Sequence, residues 1–379
     1  MRALPYTSSD DMVHSRRVIV GSMLTLMGFG LVVGYSSNIV STLRTGTGAD
    51  LSYLQGHLIK VLIALIAFLL AQRITPSRLY AVSRPMWIVS IVLLVAVLIV
   101  GKEWNQAQRW FSVMGTSFQP SEVARLSTIV VVGAWMASAK DQTSQWRSGI
   151  VIPLVLVGLP AGMILIQPDL GSAVLLLVLG GLLMAVGGAR MTHLLVGFTT
   201  SLLCIVFYGW SRFAHVSERF ENFSSPEVGS QVWQSLTALG HGGVTGTGIA
   251  AGFATWGFLP EADSDFVFAV IGEELGLLGS LFVMALYALI LWHGVRLLLG
   301  LRTRFSLVVG TGLLMQVIIQ AILNVAVVTA SVPPKGLPLP FVSLGGTSLL
   351  VMCASMGLLL GLSRAPEEDP VRGELWPGA

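Results

Sequence analysis

The chain has 379 residues, 54% of them hydrophobic and 11% charged, with a mean hydropathy of +0.79. A soluble domain carries about 25% charged residues, and the apolar runs here repeatedly approach the ~20 residues of a bilayer-spanning helix. A water-soluble globular domain is excluded, and an all-α polytopic membrane protein is expected. The basic balance, with a pI of about 9.0, does not point to nucleic acid as a partner, because the arginines and lysines sit in short loops between apolar runs and read as topology signals.

About ten spans fit: 18–37, 52–72, 85–101, 120–139, 150–166, 168–186, 193–211, 266–292, 305–328 and 345–362. Arg16 and Arg17 precede the first run and no small-x-small cleavage site follows it, so it reads as a retained span. With a cytoplasmic N-terminus, fourteen Lys and Arg residues fall inside and six outside, while Lys60 and Arg125 fall within spans. The bias places both termini in the cytoplasm. Residues 1–15 and 365–379 read as polar cytoplasmic tails around one membrane domain, 16–364. Cys204 and Cys353 lie in apolar runs and read as small buried hydrophobes.

The acids run the other way. Ten of them, Asp265 among them, land outside or at the outer edge, as do the longest loops, 212–264, 102–119 and 329–344. Within the large loop between spans seven and eight, Ser225-Pro226-Glu227 is a helix-start signature. Val232, Leu236 and Leu239 follow at helical spacing, which predicts a short amphipathic surface helix ended by glycines from Gly240 onward.

Polar residues recur at membrane depth. Gln316, Gln320 and Asn324 share a face of the ninth span and read either as interhelical hydrogen-bonders or as a cavity lining. His57 and Lys60 share a face of the second span. Glu122 and Arg125, three apart, read as an ion pair or a binding pair, and Asp169 opens the sixth span near a helix N-terminus. The sharpest stretch holds Glu261, Asp263 and Asp265 within five residues, then Glu273 and Glu274 on the helix behind. Glu273 is eight residues past Asp265, roughly 12 Å deeper. Carboxylates at such depth are costly and usually functional, so a polar pocket open to the outer leaflet is expected. Capping of the eighth helix is the competing reading for the first three acids.

Six motifs, in order along nearly the whole chain, carry a resemblance. They are Gln106-Ala-Gln-Arg109-Trp110, Gln119-Pro-Ser-Glu122-Val-Ala-Arg125, Gln167-Pro-Asp169-Leu-Gly-Ser, Gln231-Val-Trp-Gln234-Ser-Leu, Leu259-Pro-Glu261 through Ser264-Asp265-Phe to Glu273-Glu274-Leu-Gly, and Pro333-Pro-Lys335-Gly through Ser343-Leu-Gly345-Gly346. Together they resemble the SEDS family (shape, elongation, division and sporulation). The Pro-Lys-Gly loop is more similar to the FtsW/SpoVE branch than to RodA.

The resemblance implies a ten-span peptidoglycan glycosyltransferase that polymerises lipid II on the outer face of the bacterial cytoplasmic membrane. It implies Asp265 as the essential aspartate and Trp110 as a residue important for activity. It also implies a class B penicillin-binding protein and other divisome membrane proteins as partners. The family's usual His-Thr before the aspartate is Asp263-Ser264 here. Joining a sugar 4-hydroxyl to an anomeric carbon needs a base, for which Asp265 is the candidate. It also needs positive charge near the departing diphosphate, from Lys335, Arg109, Arg125, Lys60 or a divalent cation (Mg2+ or Mn2+). Trp110, Glu122, Asp169, Gln231, Gln234, Glu261 and Ser343 complete the expected substrate contacts, and no organic cofactor is expected. The rival readings are a lipid II flippase, which would need polar groups continuing to the inner side, and a non-catalytic scaffold.

Overall fold

The computed structural model describes residues 9–45, 51–104, 107–113, 116–211, 228–252, 254, 259, 261–333, 335–343 and 345–364. Its elements in chain order are α1 (Ser9–Thr45), α2 (Leu51–Ala71), α3 (Pro76–Val100), β1 (Lys102–Trp104), β2 (Ala107–Val113), β3 (Thr116–Phe118), α4 (Pro120–Ala139), α5 (Ile152–Ile166), α6 (Leu170–Val186), α7 (Met191–Ser211), α8 (Gln231–Gly242), α9 (Val267–Glu274), α10 (Gly276–Leu299), α11 (Arg304–Val328) and α12 (Gly346–Leu362). A 3-10 turn (Lys140–Ser144) and a π turn (Arg147–Val151) join α4 to α5. Among the described residues seven helices are long and apolar enough to cross a membrane, and three shorter apolar helices, Leu170–Val186, Met191–Leu203 and Gly346–Leu362, join them. The protein is a helical polytopic membrane protein.

Helices α4 and α11 form the centre of the bundle, most of their surface buried, whereas α2 and α3 keep most of theirs outside. The reason is visible in the sequence. Small residues let the central helices approach: a side chain on Gly133 would strike Val309, and one on Gly312 would strike Ile129 and Leu183. Membrane helices associate by such close packing, because lipid is as apolar as leucine. The outer helices show leucine, isoleucine and valine to the surface, among them Leu58, Leu62 and Leu69 on α2 and Ile88 and Val92 on α3. Gly357 of α12 sits against the backbone of Phe68, which brings α12 flush with α2.

Four expectations need correction. Helix α1 begins at Ser9, so part of the stretch read as a tail is helical; Met12 packs on Gly300, and the Ser15 hydroxyl meets His293 Nδ1 at 3.1 Å. The loop 102–119 folds as an antiparallel meander ordered β1-β2-β3, with Phe111 opposite Phe118 and their rings stacked at 6.5 Å. The eighth span is not continuous. It breaks after Glu274 into α9 and α10, and Gly276 at φ 67 takes the left-handed conformation that glycine tolerates. The surface helix α8 starts with Ser230, whose hydroxyl accepts the Trp233 N–H at 3.3 Å; Ser225-Pro226-Glu227 lie outside the described residues.

Candidate active site

The site is a turn stitched to a loop. Glu261 adopts φ 57, a conformation that costs a non-glycine residue on the order of 1–3 kcal/mol. Its carbonyl accepts the N–H groups of Ser264 (3.1 Å) and Phe266 (3.2 Å), and its carboxylate accepts the Ser264 hydroxyl at 2.9 Å. This turn delivers Asp265 just before α9. From α11, Asn324 Nδ2 donates to the carbonyls of Asp265 (2.7 Å) and Leu337 (2.8 Å). Ser343 donates to the Ser264 carbonyl at 2.5 Å and accepts the Leu339 N–H at 2.7 Å. Turn 261–266 is thereby clamped to loop 335–343. The Asp265 carboxylate lies over Gly336, close enough that a β-carbon there would sit 2.8 Å from Oδ2.

Two further elements bring charge to this carboxylate. Strand β2 carries Arg109, whose Nε donates to the Gln167 carbonyl at 3.0 Å. Asp169 caps α6 by accepting the Ser172 N–H at 3.1 Å, and its other oxygen accepts Gln119 Nε2 at 3.2 Å. The stem of Lys335 runs across Gly171, with Cβ and Cδ at 3.6 and 3.7 Å from where a side chain on that glycine would begin. Burial, and then the negative charges of Glu261, Asp169 and Asp263, raise the Asp265 carboxyl from 3.8 to about 7, while Arg109 pulls it down. Burial and the like charges outweigh the pull of Arg109. A carboxyl titrating near neutral pH is suited to take and release a proton.

The remaining expected contacts fall elsewhere. Glu122 and Arg125 are each 1% exposed and paired with one another, and Arg125 Nη1 also donates to Gln320 Oε1 at 2.7 Å. They are a buried strut, not a substrate surface. Ser343, 3% exposed, commits its hydroxyl to the clamp just described. Gln234 closes onto its own helix start, donating to the Gly229 carbonyl at 2.9 Å, and Gln231 is exposed on α8. Lys60 lies along Gly346 at the N-terminus of α12. Strand alternation turns Trp110 to the face of β2 opposite Arg109, where it is half-buried.

Glu273 and Glu274 do not share the Asp265 pocket. Glu273, fully buried, accepts the Ala254 N–H at 2.8 Å and meets His241 at 3.3 Å. Glu274 accepts the Ser36 hydroxyl at 2.5 Å and the Ala250 N–H at 3.1 Å. Both bind the glycine-rich segment after α8, which needs acceptors for its backbone where water is scarce.

Sequence reading missed Tyr287, whose hydroxyl donates to the Pro340 carbonyl at 2.5 Å from inside the bundle. A tyrosine inside a leucine-rich helix was the available signal, since a buried phenol normally has a partner. Among the described residues no three His, Cys, Asp or Glu side chains gather as a metal would require.

These features define a class: a helical membrane protein with a near-neutral carboxyl clamped beside cationic side chains at one end of its bundle. A family model described as "Cell cycle protein", FTSW_RODA_SPOVE, matches residues 16–368. A probable peptidoglycan glycosyltransferase FtsW of Idiomarina loihiensis is 32% identical over 91% of this chain and 86% of its own. Stage V sporulation protein E of Bacillus subtilis is 32% identical over 74% and 79%. Among solved structures, a chain from work described as "Structural coordination of polymerization and crosslinking by a peptidoglycan synthase complex" superposes with a TM-score of 0.75 at 26% identity, covering 91% of this chain and 96% of that one. The rod shape determining protein RodA of Thermus thermophilus gives 0.68 at 26% identity, covering 93% and 97%. The chain belongs to the FtsW/RodA/SpoVE family, on its FtsW/SpoVE side.

Proposed function

We propose that this protein is a peptidoglycan glycosyltransferase that polymerises lipid II into glycan strands during division and cell-wall synthesis. The reaction takes place at the outer face of the bacterial cytoplasmic membrane. The observation that carries the reading is Asp265, raised to about 7 and held beside Arg109 by a turn with little freedom to move. Its carboxylate removes the proton from the incoming sugar 4-hydroxyl; that oxygen bonds to the anomeric carbon of the second unit, and the bond to undecaprenyl diphosphate breaks. Lys335 and Arg109 offset the charge that grows on the diphosphate. Lys60 beside the α12 N-terminus supplies a second anion-favouring position along the same loop. Trp110 offers a ring face to a sugar at the rim.

The membrane topology belongs to the same proposal. Ten spans, a single membrane domain over 16–364 and both termini in the cytoplasm place Asp265 outward, and the Lys and Arg distribution supports it. A flippase would need polar continuity to the inner side. Below Gln320, however, Gln316 donates to Ser355, and the neighbouring Leu313, Leu314, Met352 and Met356 are all buried. The peptidoglycan synthase complex to which one matched chain belongs supports a class B penicillin-binding protein, with other divisome proteins, as partner. The test is incubation of purified protein with lipid II, alone and with its transpeptidase. Glycan chains from the wild type and none from Asp265→Asn are expected, and equal product from both would remove the base assignment. Running the assay with and without a chelator tests the divalent cation.

A further inference from the structure

The end of the bundle away from Asp265 carries a second, unassigned feature. An open cleft of about 460 Å³ lies against the start of α1 and the end of α12, lined by Arg16, Arg17 and Arg364 together with Val13, Val20 and Leu24. Helix α12 runs 17 residues from Gly346, beside Lys60, to its C-terminus, so the cleft is ~25 Å from the Lys60 end. Topology signals need only be basic; they need not converge. Here two are at the start of the chain and one near its end, 347 residues apart at the Arg16–Ser363 contact.

Arg16 is fixed. Its Nε donates to the Ser363 hydroxyl at 3.0 Å and an Nη to the Ser363 carbonyl, where the negative end of the α12 dipole favours a cation. Arg364 is close enough to Arg16 for their charges to repel. Arg17 and Arg364 are exposed, and no carboxylate among the described residues pairs with any of the three. Like charges gathered without a counter-charge among the described residues leave room for an anion. Below Arg17 on the same stripe of α1, Val20 and Leu24 follow at spacings of three and four, and Leu24 is 45% exposed to the lipid side. An anionic head at the arginines with an apolar body along Val20 and Leu24 has the shape of a phospholipid.

We propose that this cleft binds one anionic phospholipid, its phosphodiester held by Arg17 and Arg364 over the fixed Arg16 and an acyl chain laid along Val20 and Leu24. Basic pockets between helices at a cytoplasmic face are suited to such headgroups, and the lipid would tie the first helix to the last.

The test is native mass spectrometry of the purified full chain titrated with phosphatidylglycerol or with phosphatidylcholine. One saturable phosphatidylglycerol is expected, and Arg17→Gln with Arg364→Gln weakens it by about 30-fold. The control Arg190→Gln, at an exposed arginine outside the cleft, leaves binding unchanged, and Arg17→Lys with Arg364→Lys retains most of it. The proposal is overturned by equal retention in the double glutamine variant, by equal binding of phosphatidylcholine, or by inorganic phosphate competing as well as the lipid does. It is also overturned if the lipid binds only after Glu367, Glu368 and Asp369 are all neutralised, since the chain's own tail would then be the occupant.

Discussion

Replacing Asp265 by Asn separates catalysis from stability, because the two respond in opposite directions. The side chain keeps its shape over Gly336 and its backbone keeps the Asn324 hydrogen bond, so the turn survives. Removal of a general base costs about 10²–10⁴ in rate, which is about 3–5 kcal/mol of barrier. For folding the sign reverses. The carboxyl is 3.8 when unperturbed and about 7 in place, so the folded protein holds the proton more tightly than the unfolded chain. Stability is therefore lost as pH rises from about 4 to 7, by at most about 4 kcal/mol. Asparagine carries no such penalty, so the variant melts higher than the wild type at pH 8 and nearly level with it at pH 4. Lipid II polymerisation at pH 8 and melting at both pH values read the two effects. Wild-type activity should rise about tenfold from pH 6 to pH 8 along with the deprotonated fraction. An active Asp265→Asn enzyme, or one that melts lower than wild type at pH 8, would refute the reasoning.

Arg109→Gln removes the positive charge that opposes the rise at Asp265, so the acid limb of the pH–rate profile moves to higher pH; an unmoved limb would separate the two residues. Gly336→Ala drives a methyl to 2.8 Å from the catalytic oxygen and lowers turnover about 100-fold, with unchanged melting. Glu122→Gln leaves Arg125 buried and charged, costing about 3–5 kcal/mol. It reduces yield and melting temperature, while enzyme that does fold keeps its specific activity, as an active-site titration would show.

The sequence by itself determined that the chain is a helical membrane protein and roughly where its spans lie, and through its motifs it singled out Asp265 as the candidate base. The spans rest on a signal any local stretch carries, because twenty apolar residues cannot remain in water; Asp265 was singled out by the motif in which it stands, since capping of the next helix explained its position equally well. The tertiary structure alone decided which polar residues share a pocket. Glu122 and Asp169 both sit in the first turn of a span or cap it, yet one is consumed by Arg125 and the other faces Asp265. Glu273 and Glu274, two turns past Asp265, end α9 and turn to a different loop, the chain starting a new helix at Gly276. Asn324 and Ser343 are 59 and 79 residues from the turn they clamp. Contacts at such separation depend on how helices pack, which no periodicity in a single segment encodes.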